Sequence, residues 1–176
     1  MKKVSQKLTP CIWFNNQAEE AANFYVRVFN MAPESERLSK VETMTYYDEA
    51  SAKVSGQPKG TVLTVSYILA GQSFMALNGG TPESDKYGNF KLTSAISFVI
   101  NCETQAEVDW FWKELSAGGG KTDQCGWLTD KYCVTWQVVP TILGELLAGK
   151  DQKKAERVMK AMLEMTKLDI EGLKNA

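Results

Sequence analysis

Histidine is absent from this chain, and that one absence removes every Ser-His or Cys-His nucleophile pair, every imidazole general base and the commonest zinc and iron ligand. An excess of either charge is lacking too. Twenty Lys+Arg face 21 Asp+Glu for a net charge of -1 at pH 7, which leaves no basic surplus for counter-ion release on nucleic acid. Nucleic acid is therefore excluded as the expected partner. No apolar run approaches the ~20 residues a membrane span requires; stretches such as AISFVI at 95–100 are strand-sized. Cys11, Cys102, Cys125 and Cys133 show no CxxC spacing, and MKKVSQKLTP carries no apolar signal-peptide core. The expectation is a cytoplasmic protein with free thiols and no membrane partner.

What is present suffices for a sizeable core: 176 residues, 44% hydrophobic and 23% charged, fit one domain or two tightly joined half-domains. KLTPCIWF at 7–14 reads as a strand that ends at Asn15-Asn16. QAEEAANFYVRVF then reads as a helix, with Ala21, Phe24 or Tyr25, and Val28 on one face. Asn16 and Glu19 stand in the relation of an N-cap and its third helical residue. Extended segments are expected at 41–48, 61–69 and 72–78, the last two joined by a tight hairpin at Ala70-Gly71. EASAKVSGQPKG between the first two reads as a loop.

The order then begins again. A strand at 95–101 precedes a helix from Thr104 to Ser116, where Thr104 and Glu107 form a capping box and Val108, Phe111, Trp112 and Leu115 an apolar stripe. The glycines at 118–120 follow a helix and precede a strand, the reverse of the order that cradles phosphate, so a C-cap and turn is the better reading. Extended pieces near 124–129 and 133–139 complete this half. Laying Phe24-Tyr25 on Phe111-Trp112 puts Glu20 on Glu107, Val28 on Leu115 and strand 9–14 on 96–101, the pattern of an internal repeat. From 140 the pattern changes to TILGELL, a short helix, and an Asp151-capped helix with Ala155, Val158, Met159, Met162 and Leu163 as its stripe. That tail covers its own sheet or packs across a dimer; both remain open.

These segments in order, LTPCIWFNNQAEEAANFYVRVF, FMALNGG, ISFVINCETQAEVDWFW, CGWLTDKY, TWQVVPTILGELL and AERVMKAML, resemble the PhnB-like branch of the glyoxalase/bleomycin-resistance/dioxygenase family, also called vicinal oxygen chelate proteins. The resemblance runs from about residue 7 to 173. It implies an α+β fold of two βαβββ modules, about 7–79 and 92–139, followed by a helical tail at about 140–174, all in one glyoxalase-like domain. It further implies concave sheet faces that form a ligand pocket, and a homodimer. Such sequences are often labelled 3-demethylubiquinone-9 3-methyltransferase-like.

Metal-using relatives carry His at the start of each module's first strand and Glu near the end of its last. Those places are held here by Thr9 or Pro10, by Ala95 or Ser97, by Leu77 or Asn78, and by Gln137, which closes the pattern begun at Asp130. Amides and hydroxyls are poor ligands for the ions concerned, so no metal and no other cofactor is expected. Cys133 occupies that pattern's glycine position, which brings the glycine turn conformation there into question.

The candidate ligand-binding residues are accordingly Cys11, Trp13, Asn78, Ser97 and Gln137. Gln137 offers both donor and acceptor, and either binds a ligand or satisfies itself within the sheet. Cys11 shares a strand face with Thr9 and Trp13, opposite Pro10, Ile12 and Phe14; which face is concave stays open. The expected function is binding of a small, partly apolar molecule. The alternative is an enzyme: a divergent lyase or dioxygenase, or the methyltransferase of the label. A third reading is a structural dimer whose pocket is filled by its own aromatics. Against methyl transfer, FNNQAEEA after the first strand lacks the glycine turn of a doubly wound cofactor site.

Overall fold

The computed structural model describes residues 6–80 and 92–176. They form two compact units that part between the fourth and fifth strands.

The first unit runs β1 (Cys11–Phe14), α1 (Ala18–Asn30), β2 (Lys40–Tyr46), α2 (Glu49–Ser55), β3 (Val62–Leu69) and β4 (Gln72–Asn78). Its sheet has the order β1-β4-β3-β2, with β1 parallel to β4 and the remaining pairs antiparallel. Ala70 and Gly71 both have positive φ, 44° and 81°, which gives the β3–β4 hairpin the turn handedness that matches strand twist. Alternation decides the layers. Ile12 and Phe14 of β1, Val65, Tyr67 and Leu69 of β3, and Phe74 and Ala76 of β4 are buried along with Ala21, Ala22, Tyr25 and Val28 of α1. A stack of Tyr25, Tyr67 and Phe74, with ring centroids 6.4 and 5.6 Å apart, joins helix to sheet. Full burial of a Val, Leu, Ile or Phe side chain in this layer contributes about 1.5–3 kcal/mol.

The second unit repeats the plan. β5 (Phe98–Cys102), α3 (Gln105–Ser116), β6 (Lys121–Thr122), β7 (Trp127–Thr129) and β8 (Thr135–Pro140) form a sheet of order β5-β8-β7-β6, again with its first and last strands parallel. Both sheets thus follow βαβββ order. The repeated helices bury different members of the aligned aromatic pairs: Tyr25 rather than Phe24 in α1, but Phe111 rather than Trp112 in α3.

After β8 the chain makes α4 (Thr141–Ala148), α5 (Gln152–Glu164) and α6 (Ile170–Lys174). Leu143, Val158, Leu168 and Leu173 form their buried centre, with Val139 of β8 packed against it. The tail therefore covers its own unit. Asp151 caps α5 as expected, its Oδ1 accepting from the Lys154 amide at 3.0 Å.

Three expectations need correction. The segment from 49 is a helix at its start: Asp48 and Ser51 form a reciprocal capping box ahead of α2, none of whose residues is buried. α1 begins after Gln17, and its cap is not Asn16 but Asn78, whose Oδ1 accepts from the Ala18 amide at 2.8 Å. Pairing of Phe14 with Asn78 brings that amide to the helix start. The fifth strand begins at Phe98, since Ser94 to Ile96 make a turn and bend before it.

Candidate functional site

Each sheet has one face against its helix; on the other face register assigns the candidates, and in the second unit the tail packs on that face at its Val139 end. In the first unit Cys11 and Trp13 pair with Met75 and Leu77, opposite the buried Ile12 and Phe14, so the Cys11 face of β1 is the one turned away from α1. Thr64 and Ser66 of β3 continue it. Trp13 is held in place. Its Nε1 donates to the Gly80 carbonyl at 3.1 Å, and its ring crosses Gly79 so closely that a Cβ there would lie 1.9 Å from Cζ2.

Asn78 lies on the helix side. Beyond the α1 cap, its Nδ2 donates to Val62 O at 3.0 Å, and its backbone carbonyl accepts from the Tyr47 hydroxyl. Both ends of its amide are committed to the frame of the unit.

In the second unit Trp127, Gln137 and Val99 lie side by side across β7, β8 and β5. Gln137 Nε2 donates to Ser97 Oγ at 2.8 Å, so the structure brings two candidates together. That bond leaves Gln137 its carbonyl oxygen and a second N–H, and leaves the Ser97 hydroxyl its proton. Val99, 50% exposed, adds apolar surface. Trp127 was not singled out by sequence reasoning; its position opposite Gln137 follows only from the β7–β8 register.

Across the described open faces, strands β1, β4, β3, β5, β8 and β7 present no charged side chain, and charge enters at the outer strands, as Lys40 opposite Ile68 and Lys121 opposite Thr129.

Behind this face, Asp130 organises the turn into β8. Its Oδ1 accepts from the amides of Tyr132 at 2.8 Å and Val134 at 3.0 Å, and its Oδ2 from Trp136 Nε1 at 2.8 Å. Cys133 adopts φ 66°, so the left-handed turn is kept with a thiol where the family pattern has glycine, at a cost of about 1–2 kcal/mol.

Neither Cys11 nor Cys102 is an activated thiol. Burial pushes the Cys11 thiol up, and burial assisted by the Glu107 carboxylate pushes Cys102 up to about 12. Neither arrangement favours a thiolate nucleophile.

The residues at the family's metal positions do not fit a divalent ion. Leu77 is apolar, the Asn78 amide is turned to the start of α1 and to Val62, and Gln137 and Ser97 bond each other. Among the described residues no group of three His, Cys, Asp or Glu could hold a metal.

The sequence model of the family described as 3-demethylubiquinone-9 3-methyltransferase matches residues 6–139. The chain belongs to that family. A PhnB protein from Bacillus cereus, described as a 3-demethylubiquinone-9 3-methyltransferase, is 32% identical to it with a TM-score of 0.61, over 77% of this chain and 100% of that one. A protein of known structure from Pseudomonas aeruginosa shares the fold at 18% identity and TM-score 0.56, over 77% of this chain and 98% of that one. No curated protein matches. With its paired βαβββ sheets the chain is a PhnB-like member of the glyoxalase/bleomycin-resistance, or vicinal oxygen chelate, fold. The match to the PhnB-like family ends at residue 139, so helices α4 to α6 lie beyond it. No helix among the described residues is long and apolar enough to cross a membrane.

Proposed function

We propose that this PhnB-like protein binds a small, uncharged, partly apolar molecule without a metal ion, in the reducing cytoplasm, and that the Gln137–Ser97 pair is its polar contact. The observation that carries the reading is an amide and a hydroxyl, bonded to each other at 2.8 Å, standing where metal-using relatives have ligands and surrounded by apolar or neutral side chains. A buried charge on a ligand would find no counter-charge on these strands, and its desolvation would oppose binding. A carboxamide, carbonyl or phenol meets the free donor and acceptor of Gln137 directly. Trp127 and Val99 supply contact for its apolar part. Four free thiols favour a reducing compartment.

Methyl transfer, which the family's name carries, draws no support from these residues. β1 leads into α1 through Asn15, Asn16 and Gln17 rather than a glycine turn, and each sheet is mixed rather than doubly wound.

The test is ligand-observed NMR with benzamide, phenol, benzoate and benzylamine, alongside native mass spectrometry for co-purified molecules. The neutral pair should bind and the ions should not. Gln137→Leu should weaken benzamide by about threefold to tenfold, the worth of one neutral hydrogen bond. Preference for benzoate, or indifference to Gln137→Leu, would overturn the reading.

A further inference from the structure

Trp127 follows directly after two consecutive residues in the left-handed region, Cys125 at φ 58° and Gly126 at φ 81°. Such a bend is costly at a non-glycine residue and persists only where surrounding structure enforces it. Here the enforcement comes from the C-terminal tail. The Cys125 amide donates to Met165 O at 2.7 Å and the Gly126 amide to Thr166 O at 2.8 Å, so the strained Cys125 and the glycine after it are bonded to two successive tail carbonyls. On the other side, the Val138 amide donates to Gly126 O at 2.8 Å, which ties the bend to β8.

The tail segment is itself latched. Gln105 on α3 reads its backbone with both ends of one amide, Nε2 donating to Leu168 O at 3.2 Å and Oε1 accepting from the Ile170 amide at 2.9 Å. One turn further on, Asp109 pairs with Lys167. Leu168 is fully buried among Val158, Leu143 and Leu173, and its side chain sits close enough to Gly126 that an added Cβ would meet it at 3.2 Å. The tail's hydrophobic centre, the latch and the bend are one continuous assembly.

We propose that segment 165–170, part of the extension that lies beyond the family match, is a strap that aims Trp127 at the ligand face beside Gln137, so that the face is complete only while the strap is seated. The proposal rests on the reading of that face as the ligand site. Gln105 and Asp109 are its positioning residues. Unseating the strap strips the Cys125 and Gly126 amides of their acceptors, and the bend relaxes to ordinary backbone. Trp127 then leaves its place opposite Gln137.

The experiment compares the full chain with Gln105→Ala/Asp109→Ala, which cuts the latch but spares the buried leucines, and with Val65→Ala, which loosens the first unit only. Amide hydrogen exchange is read at Cys125 and Gly126. Trp127 emission is taken as the difference between each protein and its Trp127→Phe counterpart. Benzamide is the binding probe. In the latch variant both amides should exchange at least tenfold faster than in Val65→Ala, and Trp127 emission should shift to the red. Where benzamide binds the unmodified protein, the latch variant should weaken it at least threefold. Unchanged exchange and emission, or equal changes in Val65→Ala, overturn the strap. Loss of protection with a red shift, in a protein that binds benzamide in no form, upholds the strap's hold on Trp127 and overturns the ligand reading alone.

Discussion

Asp130 is 2% exposed, as is Trp136, whose indole it holds. Replacing it with alanine leaves the Trp136 Nε1 and the buried Val134 amide without this acceptor, while the Tyr132 amide, only half-buried, regains water. An orphaned buried donor costs about 1–3 kcal/mol, so two cost about 2–6, and we expect Asp130→Ala to lose about 4 kcal/mol. Asp130→Asn keeps one oxygen for the two backbone amides but turns an NH₂ toward the indole, so only one donor is orphaned, for about 2 kcal/mol. With a urea m-value of about 2 kcal/mol/M, the alanine variant's midpoint should fall by about 2 M and the asparagine variant's by about 1 M. A double-mutant cycle sharpens the test. Trp136→Phe removes the indole donor, so in that background Asp130→Ala should cost about 1–3 kcal/mol less. A midpoint shift under about 0.5 M for Asp130→Ala, or strict additivity with Trp136→Phe, would refute the idea that this carboxylate organises the turn.

Other outcomes follow from the same structure. Burial raises the Cys102 thiol to about 12 in the fold, whereas an unburied thiol ionises near 9.0. Between those values the unfolded state binds fewer protons, so stability should fall as pH rises, by about 1.4 kcal/mol per unit; Cys102→Ala should flatten that slope in alkaline urea titrations, and an unchanged slope would count against it. Adding Ni, Zn, Fe or Mn ions, or a chelator, should leave the melting temperature unmoved, and a stoichiometric metal with a chelator-sensitive melt would sink the metal-free reading. On α5, Met159 at 40% and Leu163 at 55% exposure form one stripe four residues apart, and with the family resemblance this makes a two-fold homodimer the expected assembly. Light scattering at tens of micromolar should give the dimer mass, and a monomer mass would refute it.

Much of the architecture is legible in the residues because local signals and tertiary packing agree. Thr104 and Glu107 announce α3 within four residues, and alternation along β1 separates Ile12 and Phe14 from Cys11 and Trp13. The start of α1 is not legible, because its cap is supplied from β4. α2 escaped for another reason: with no buried residue it has no apolar period to read, and only Asp48 with Ser51 marks it. For the candidate site, Gln137 and Ser97 can be weighed singly from the sequence but their bond cannot, since it depends on β5 pairing parallel to β8. Trp127 needs a strand register that a three-residue strand does not advertise. The strap needs long-range contacts, from Cys125 and Gly126 to Met165 and Thr166 and from Gln105 to Leu168 and Ile170, 63 and 65 residues away.

Asn78 accepts from Ala18 across 60 positions of chain, takes the Tyr47 hydroxyl on its backbone carbonyl, and donates to Val62. It is also among the last residues of its unit to leave the ribosome. Until it emerges, the first helix has no cap, β1 has no parallel neighbour, and a buried tyrosine hydroxyl has no acceptor. Completion of β4 closes the helix start, the parallel pairing and the tyrosine contact in one cooperative step.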